Sequence, residues 1–458
     1  MSQLSTSTST ELRLTRAALN RDIVQLAVPA VLENLLVTMV FFADTLLIGW
    51  LKDPTSLAAV GLSSTFMWIA TGLFQAIAVG ATALVARAWG ARQFEEARNI
   101  GAQAILLGLV LGGVVMVVMY PLADDFLVLM GGEPEVVSQG SLYLRLILLT
   151  SVFSFPQMVV SGIMRGAGDT RRPMQITLLM NVWNVFAAYA LIFGPGPLPA
   201  WRLAGAGVAT SSARMLSGCL ALFCIFSGRT VIRVPLRYLL HWDWRTAWRI
   251  LRLSLPNVGE TLIARTGHTL FYRIISALGT ASLAAHQIAV RVESLSFMPG
   301  WGLTTAATTL VGQALGAGKE DLAEESIRRT LRFALGMMGA IGVVLGLFGR
   351  QLVVIFGATP EVLDLAGLAV RLAALEQPGI AMQMVIAGSL RGAGDTRTPM
   401  LVTLVGVLFF RVAVVYLFAI VLGWGLAGVW LGTAVDWTGR AVLMYSLFRR
   451  GTWKATRV

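Results

Sequence analysis

The chemistry this chain could perform rests on ionisable side chains in apolar surroundings. Asp44 stands in the stretch FFADTLLIG, deep in an apolar run. A carboxylate at a helix centre costs about 2.5–3.5 kcal/mol to insert. Such an acid is a candidate proton carrier, because protonation removes a charge that the surroundings solvate poorly. The competing reading is a structural pair with a basic side chain. Glu33 precedes Asp44 by three helical turns plus about 20°, which places both on one helix face, ~16 Å apart. Glu260 stands in a matching run further on. Glu33 and Glu260 suit two roles: drawing in cationic substrates or protons, or satisfying arginines and backbone donors at the membrane interface.

Polar groups in other apolar runs extend the list. Asn181 and Asn184 need partners if buried. Gln157 and Gln75 could serve a site or join helices. His268 titrates near neutrality in water and shares a helix face with Arg265 and Tyr272. His286, Arg291 and Glu293 read as structural, and Asp436 and Arg440 stand at i and i+4, where they can pair. Phe41, Phe155, Met298 and Met382 are candidate substrate contacts, since flat rings and flexible sulfur suit varied apolar cations. Cys219 and Cys224 share one apolar run, which gives neither a disulfide framework nor a thiolate metal site.

The elements that must hold these groups are membrane helices. Apolar residues make up 56% of the 458 and charged residues 13%, against about a quarter charged in soluble domains. Residues 100–123 hold no ionisable side chain but Tyr120, enough to cross a ~30 Å hydrocarbon layer as a helix. Twelve such spans begin near Ile23, Leu57, Ile100, Ser138, Met174, Leu203, Ile250, Ser282, Thr330, Val362, Met400 and Leu426. Before them, Met1 to Thr10 reads as a disordered Ser/Thr-rich tail without a secretory signal.

Charge in the loops alternates. With both termini cytoplasmic, 25 Lys and Arg fall on that side and 5 on the other. This bias predicts a multi-pass protein of the plasma (inner) membrane with cytoplasmic termini, and accounts for the net charge without nucleic acid. The expected layout is a tail at 1–22, a first lobe at 23–227, a basic linker at 228–249, a second lobe at 250–448 and a tail at 449–458. The linker's Trp242, Trp244 and Trp248 suit the membrane interface.

An internal repeat organises the spans. Arg165–Met174 reads RGAGDTRRPM and Arg391–Met400 reads RGAGDTRTPM, at an offset of 391 − 165 = 226. Pro29 and Glu33 pair with Pro256 and Glu260 at 227. Six spans per half preserve direction, so the halves are parallel repeats about a pseudo-two-fold axis along the membrane normal, with a cleft between them. The repeated motif itself is a turn. Gly166, Gly168, Gly392 and Gly394 permit tight geometry, Asp169 or Thr170 and likewise Asp395 can cap the next helix, and Arg165 and Arg391 can reach lipid phosphates or helix carbonyls. A phosphate loop at Gly316–Lys319 is excluded, since Gln313 and Glu320 stand where glycine and Ser/Thr are needed.

With these motifs the chain resembles the multidrug and toxic compound extrusion (MATE) exporters, and within them the DinF-like bacterial branch. The resemblance rests on the RGAGDT turns after the fourth and tenth spans, ADTLLIG at Ala43–Gly49, LAAHQIA at Leu283–Ala289 and LVGQALGAGK at Leu310–Lys319. It implies an all-α integral membrane fold of two six-helix lobes. It also implies that Asp44 couples cation flux to export and that Asn184 supports that site. Family members often carry an acid where this chain has Ala188, so a two-carboxylate site is not expected.

The expectation is therefore drug–proton antiport by a monomer, moving small organic cations or amphipathic drugs among membrane lipids, with no cofactor and no metal. Sodium is the alternative coupling ion, but it wants several converging oxygens where a proton needs one carboxylate. A flippase for lipids or lipid-linked glycans is the alternative function; it would need a more cationic cleft than six span arginines, several accompanied by acids, provide. An enzyme would need clustered catalytic side chains, which the sequence does not offer.

Overall fold

A computed structural model describes residues 18–194 and 199–456; the expected tail at Met1–Thr10 lies outside them. Among the described residues every element is helical. The first lobe contains α1 (Leu19–Gly49), α2 (Pro54–Gly90), α3 (Phe94–Met119), the short α4 (Ala123–Leu129), α5 (Pro134–Leu149), α6 (Ser151–Gly166), α7 (Arg171–Phe193) and α8 (Arg202–Ser227). The second contains α9 (Trp244–Ser276), α10 (Thr280–Ser294), α11 (Phe297–Gly316), α12 (Glu320–Val354), α13 (Pro360–Ala373), α14 (Gln377–Gly392), α15 (Arg397–Val405) and α16 (Gly425–Arg449). Two π-helical stretches, Gly406–Val414 and Leu417–Val421, continue α15.

Local chemistry sets the helix ends. Asp53 caps α2 by accepting from the Thr55 N–H at 3.1 Å, and Pro54 fills the first turn, where no N–H is required. Proline also explains the breaks. Pro299 and Pro378 cannot donate to the carbonyls four residues earlier, and there α10 gives way to α11 and α13 to α14. Helices α5 and α6 meet at a 51° bend. Joining the broken pairs, and α15 with its π-helical continuation, gives twelve spans in two lobes of six. Taken singly, seven helices among the described residues are long and apolar enough to cross a membrane, and the α5–α6 pair makes an eighth. The other four spans, α9, α10–α11, α13–α14 and α16, are broken or less apolar.

The expected linker at 228–249 is shorter than the sequence suggested. Helix α9 begins at Trp244, because Asp243 accepts from the Arg245 and Thr246 N–H groups at 3.0 and 3.3 Å and caps it. The linker packs under the first lobe: Gln103 on α3 donates to His241 O at 2.8 Å and accepts from the Asp243 N–H at 3.1 Å.

Each lobe's first helix leans on the other lobe. Leu19, Ile23 and Leu26 of α1 join the core around Ala306 and Leu310 of α11. Ala247, Ile250 and Leu253 of α9 join the core of α2 and α3. The lobes are locked at the end that carries the RGAGDT turns. Gln313 donates to Gly166 O at 2.9 Å, and its repeat mate Arg87 donates to Ala393 O at 3.1 Å. Helices α2 and α11 cross so closely that a Cβ on Gly90 would sit 2.0 Å from Gln313 O, and one on Gly316 would sit 2.0 Å from Arg87 O. Arg87 also reaches the C-terminal segment, donating to Thr456 O at 2.6 Å.

Candidate ion-coupling sites in the two lobes

In the first lobe a polar cluster forms between α1, α5, α7 and α8. Asp44 is half-buried and accepts a 3.5 Å hydrogen bond from the Thr210 hydroxyl. Thr210 in turn accepts from Asn184 Nδ2 at 3.4 Å, which sets Asn184 beside Asp44. Arg214, one turn beyond Thr210, and Tyr143 on α5 act on Asp44 electrostatically. Asn181 is tied elsewhere: its Nδ2 donates to Leu36 O at 2.6 Å, pinning α7 to α1 two turns before Asp44. Asp44 and Asn184 are thus brought together through Thr210, while Asn181 reaches the acid only through the helix it grips. Thr210, Arg214 and Tyr143 were not singled out in the sequence. Arg214 carried the clearest signal, as one of few cations inside a span.

The two interface acids find arginines of the repeated turns. Glu33 pairs with Arg165 at 3.4 Å. Glu260 takes two bonds from Arg391, at 2.8 and 2.7 Å, and a third from the Thr403 hydroxyl at 3.0 Å. Both are buried or nearly so, and they match the second of the two readings, in which the acids satisfy arginines. Arg165 and Arg391 meet carboxylates where lipid phosphates or helix carbonyls were expected, because a buried acid needs its counter-charge close by. The turns behave as expected otherwise. Gly168 and Gly394 take φ of +96° and +88°, a left-handed conformation that favours glycine. Asp169 accepts from the Arg172 N–H at 3.1 Å and Asp395 from the Thr398 N–H at 3.0 Å. The capping oxygen is therefore the aspartate's and not Thr170's, which donates to Gln25 O at 3.3 Å.

The proposed substrate contacts divide. Phe41 is exposed and Met382 half-buried. Phe155 and Met298 are buried; Phe155 stacks on Phe74, and both are helix-packing residues here. Gln157 donates to Ser161 at 3.2 Å on its own helix. His268 lies against Tyr272, ring centroids 4.8 Å apart, with Arg265 and Arg411 as charged neighbours, far from the Asp44 cluster in connectivity.

The second lobe carries a larger polar cluster. Asp436 is fully buried between two arginines: Arg440 at 2.6 and 2.8 Å, and Arg411 of the π-helical stretch at 2.7 Å. Beside them Glu376 accepts from the Thr433 hydroxyl, with Glu293 as a charged neighbour. The i, i+4 pairing of Asp436 with Arg440 follows the sequence reading. Glu376 was missed, although it stands at the proline-broken tenth span, and Glu293 read as merely structural.

Comparison with known proteins agrees with this geometry. The MatE family model matches residues 29–190 and again 256–417, one match in each lobe. The chain is 32% identical over 441 residues to a probable multidrug resistance protein NorM of Thermotoga maritima, covering 96% of this chain and 94% of that one. It is 29% identical over 446 residues to the multidrug resistance protein PmpM of Pseudomonas aeruginosa, covering 93% and 90%. These relatives bear NorM and PmpM names and do not carry the DinF-like branch assignment. Among solved structures, a crystal structure of a MATE transporter in complex with MaD3S superposes with a TM-score of 0.90 at 25% identity, covering 98% of this chain and 100% of that one. A MOP superfamily transporter from Pyrococcus furiosus, with a binding pocket of reversed polarity, matches with a TM-score of 0.89 at 25% identity, covering 99% and 100%.

Proposed function

Because this chain belongs to the MatE family of transporters, we propose that it is a secondary active exporter of cationic or amphipathic organic compounds in exchange for protons. It works as a monomer in the plasma membrane with both termini cytoplasmic. That orientation follows from the loop arginines. It puts the locked end, with its RGAGDT turns, on the cytoplasmic side and the cleft towards the outside.

The observation that carries this reading is the setting of Asp44. Its carboxylate accepts one long hydrogen bond, from Thr210 on α8, with Asn184 of α7 beside it and Arg214 near but outside direct ion-pair range. Such a group can be protonated without breaking a tight salt bridge. A proton arriving from outside removes the charge that Thr210, Asn184 and Arg214 attract. Helix α1 then loosens from α7 and α8, and affinity for a bound cation falls. The cation leaves, the lobes rock, and the proton is lost to the cytoplasm as new substrate binds. Coupling requires only that substrate and proton bind the two states with different affinity, tenfold for each ~1.4 kcal/mol. A sodium site would draw several oxygens towards the ion. At Asp44 the neighbours offer N–H and O–H groups and an arginine, which favours the proton.

The test is Asp44→Asn in proteoliposomes loaded with a fluorescent organic cation under an imposed pH gradient. Export should lose its dependence on the gradient, with expression and folding intact. Undiminished pH-driven export by the variant sinks the proposal. Export driven by a sodium gradient alone in the unsubstituted chain replaces the proton by sodium.

A further inference from the structure

The chain beyond α16 crosses from one lobe to the other. It leaves the helix and turns at Gly451, with φ of +72°. Trp453 follows, and at 1% exposure it is the largest fully buried side chain among the described residues. Its ring stacks on Phe448 with centroids 5.4 Å apart, and its Nε1 donates to Phe448 O at 3.1 Å. It joins a core that holds Leu322 and Ala323 of α12 together with Leu19 and Ile23 of α1. Lys454 then pairs with Glu324 of α12. Two residues on, Thr456 O accepts from Arg87 of α2 at 2.6 Å.

The nitrogen that binds Thr456 is the one that locks the lobes. Arg87 Nη1 carries two hydrogens. They go to two carbonyls of the second lobe, Ala393 O in the repeated turn and Thr456 O in the tail. Both acceptors are neutral, so parting them separates no ion pair. The bonds are still charge-assisted, and stronger than those between neutral groups.

The first lobe has the same bend without the bridge. Gly228 ends α8 with φ of +75° and mates Gly451 at an offset of 451 − 228 = 223. At that offset Thr230 stands for Trp453 and Arg233 for Thr456. This segment keeps to its own lobe: Ile232 and Val234 enter the first lobe's core, and Arg233 Nε donates to Phe226 O at 3.3 Å. Gln313, the mate of Arg87, is bonded to Gly166 O in the turn. Duplication therefore does not account for the bridge, which depends on a buried tryptophan and on arginine at the α2 end.

We propose that residues 452–456 are a strap that holds the lobes closed at this end, with Trp453 as its anchor. When the lobes rock, α2 and α11 part and Arg87 withdraws from both carbonyls. The strap stays with the second lobe through Trp453 and Lys454, so its bond to Arg87 exists only in the closed state and opposes opening here. Its release is a step in exposing the cleft at this end. That this end faces the cytoplasm rests on the exporter reading above; that the tail ties the two lobes does not.

Thiol labelling of the full-length protein in lipid nanodiscs tests the strap. Thr309 on α11 is 0% exposed and donates to Arg165 O of the first lobe at 2.9 Å, so Thr309→Cys meets a maleimide only when the lobes part. Cys219 and Cys224 are replaced by serine, and Ser217→Cys, buried within the first lobe, is the control. Adding Trp453→Ala should speed labelling of Thr309→Cys about tenfold, the weight of one hydrogen bond from a charged donor. Lys454→Glu, which sets like charges together at a partly exposed site, should speed it about threefold. Neither should change labelling of Ser217→Cys. If Trp453→Ala fails to fold, Lys454→Glu decides. Unchanged labelling of Thr309→Cys overturns the strap, and so does an equal rise in Ser217→Cys, which would mean general loosening. Labelling needs no transport, so loss of pH-driven export in Asp44→Asn bears on the exporter reading alone.

Discussion

Thr210 and Thr433 hold the same place in the two lobes and do opposite work. Trp201–Thr210 reads WRLAGAGVAT and Trp424–Thr433 reads WGLAGVWLGT, an offset of 433 − 210 = 223. The close approaches agree: a Cβ on Gly205 would meet Leu191 O and one on Gly428 would meet Phe418 O, each at the preceding span. The preceding spans thereby pair Leu191 with Phe418, at 418 − 191 = 227, and at that offset Arg411 replaces Asn184. In the first lobe Thr210 and Asn184 supply enough hydrogens for an ionised Asp44. In the second, Thr433 must satisfy more acceptors than it has hydrogens. One scaffold, duplicated, thus sets a single acid beside neutral groups in one lobe and a cluster of acids and arginines in the other. The difference comes from where the acid enters: on the first span in one lobe, and at the breaks of the eighth and tenth spans in the other.

The lobes should differ most where the turn arginines meet their acids. Arg391 grips Glu260 with two short bonds, whereas Arg165 touches Glu33 once at 3.4 Å. Arg391→Gln leaves a buried carboxylate without its partner and should cost about 3–5 kcal/mol. Arg165→Gln should cost nearer 1.5–3 kcal/mol, the range for a hydrogen bond to a charged group. Thermal unfolding in detergent, followed by tryptophan fluorescence, ranks the two. Equal losses would mean that the geometric asymmetry has no energetic weight.

The threonine contrast is next in size. Thr210→Val removes the one hydrogen bond recorded to Asp44, about 1.5–3 kcal/mol, whereas Thr433→Val removes a hydroxyl whose single hydrogen is shared between Glu376 and Trp430 O, about 0.5–1.5 kcal/mol. The pH profile of export should therefore move further in Thr210→Val than in Thr433→Val. The reverse order would place the ionised acid in the wrong lobe.

Where the lobes are alike, substitutions should act alike. Gly90 and Gly316 occupy mated positions, and each faces a backbone carbonyl at the same 2.0 Å. Alanine at either forces α2 and α11 apart, at about 1–3 kcal/mol for overpacking. Each variant should weaken the lock at the turn end to a similar degree, read as increased labelling of a cysteine introduced there. A large difference between them breaks the two-fold symmetry of that crossing.

How much of this was legible beforehand follows from what each feature depends on. The twelve spans and the duplication are written in apolar run lengths and in one repeated ten-residue motif, which local physics can read. Asp44 was legible because a lone acid in an apolar run is costly wherever it lies. Thr210 was not, because a threonine in a span is commonplace and only the packing of α8 against α1 gives it a partner. Glu376 escaped for another reason: it lies at the break of a proline-interrupted span, and only the tertiary fold turns that break inward. Phe155 shows the converse, since an aromatic residue near the cleft in sequence was drawn into the core by Phe74.

The smallest effect concerns how the first helices of the two lobes begin. Helix α1 follows Ala18, whose side chain cannot cap, whereas its counterpart α9 is capped by Asp243. Asp243 lies in the linker, and hydrogen bonds from Thr246 and Asn99 hold its carboxyl below the usual range. A carboxyl with a lowered folded-state pKa contributes its stability fully above the ordinary carboxylate range, and loses it as pH falls through the lowered value. Asp243→Ala should therefore cost about 1 kcal/mol, as loss of a helix cap does, and only at pH above that window. Unfolding measured at neutral and at acidic pH should show the variant's deficit shrinking as the medium is acidified. A deficit that stays constant with pH would mean that the ionised cap is not what starts α9, and that the two first helices begin on equal terms.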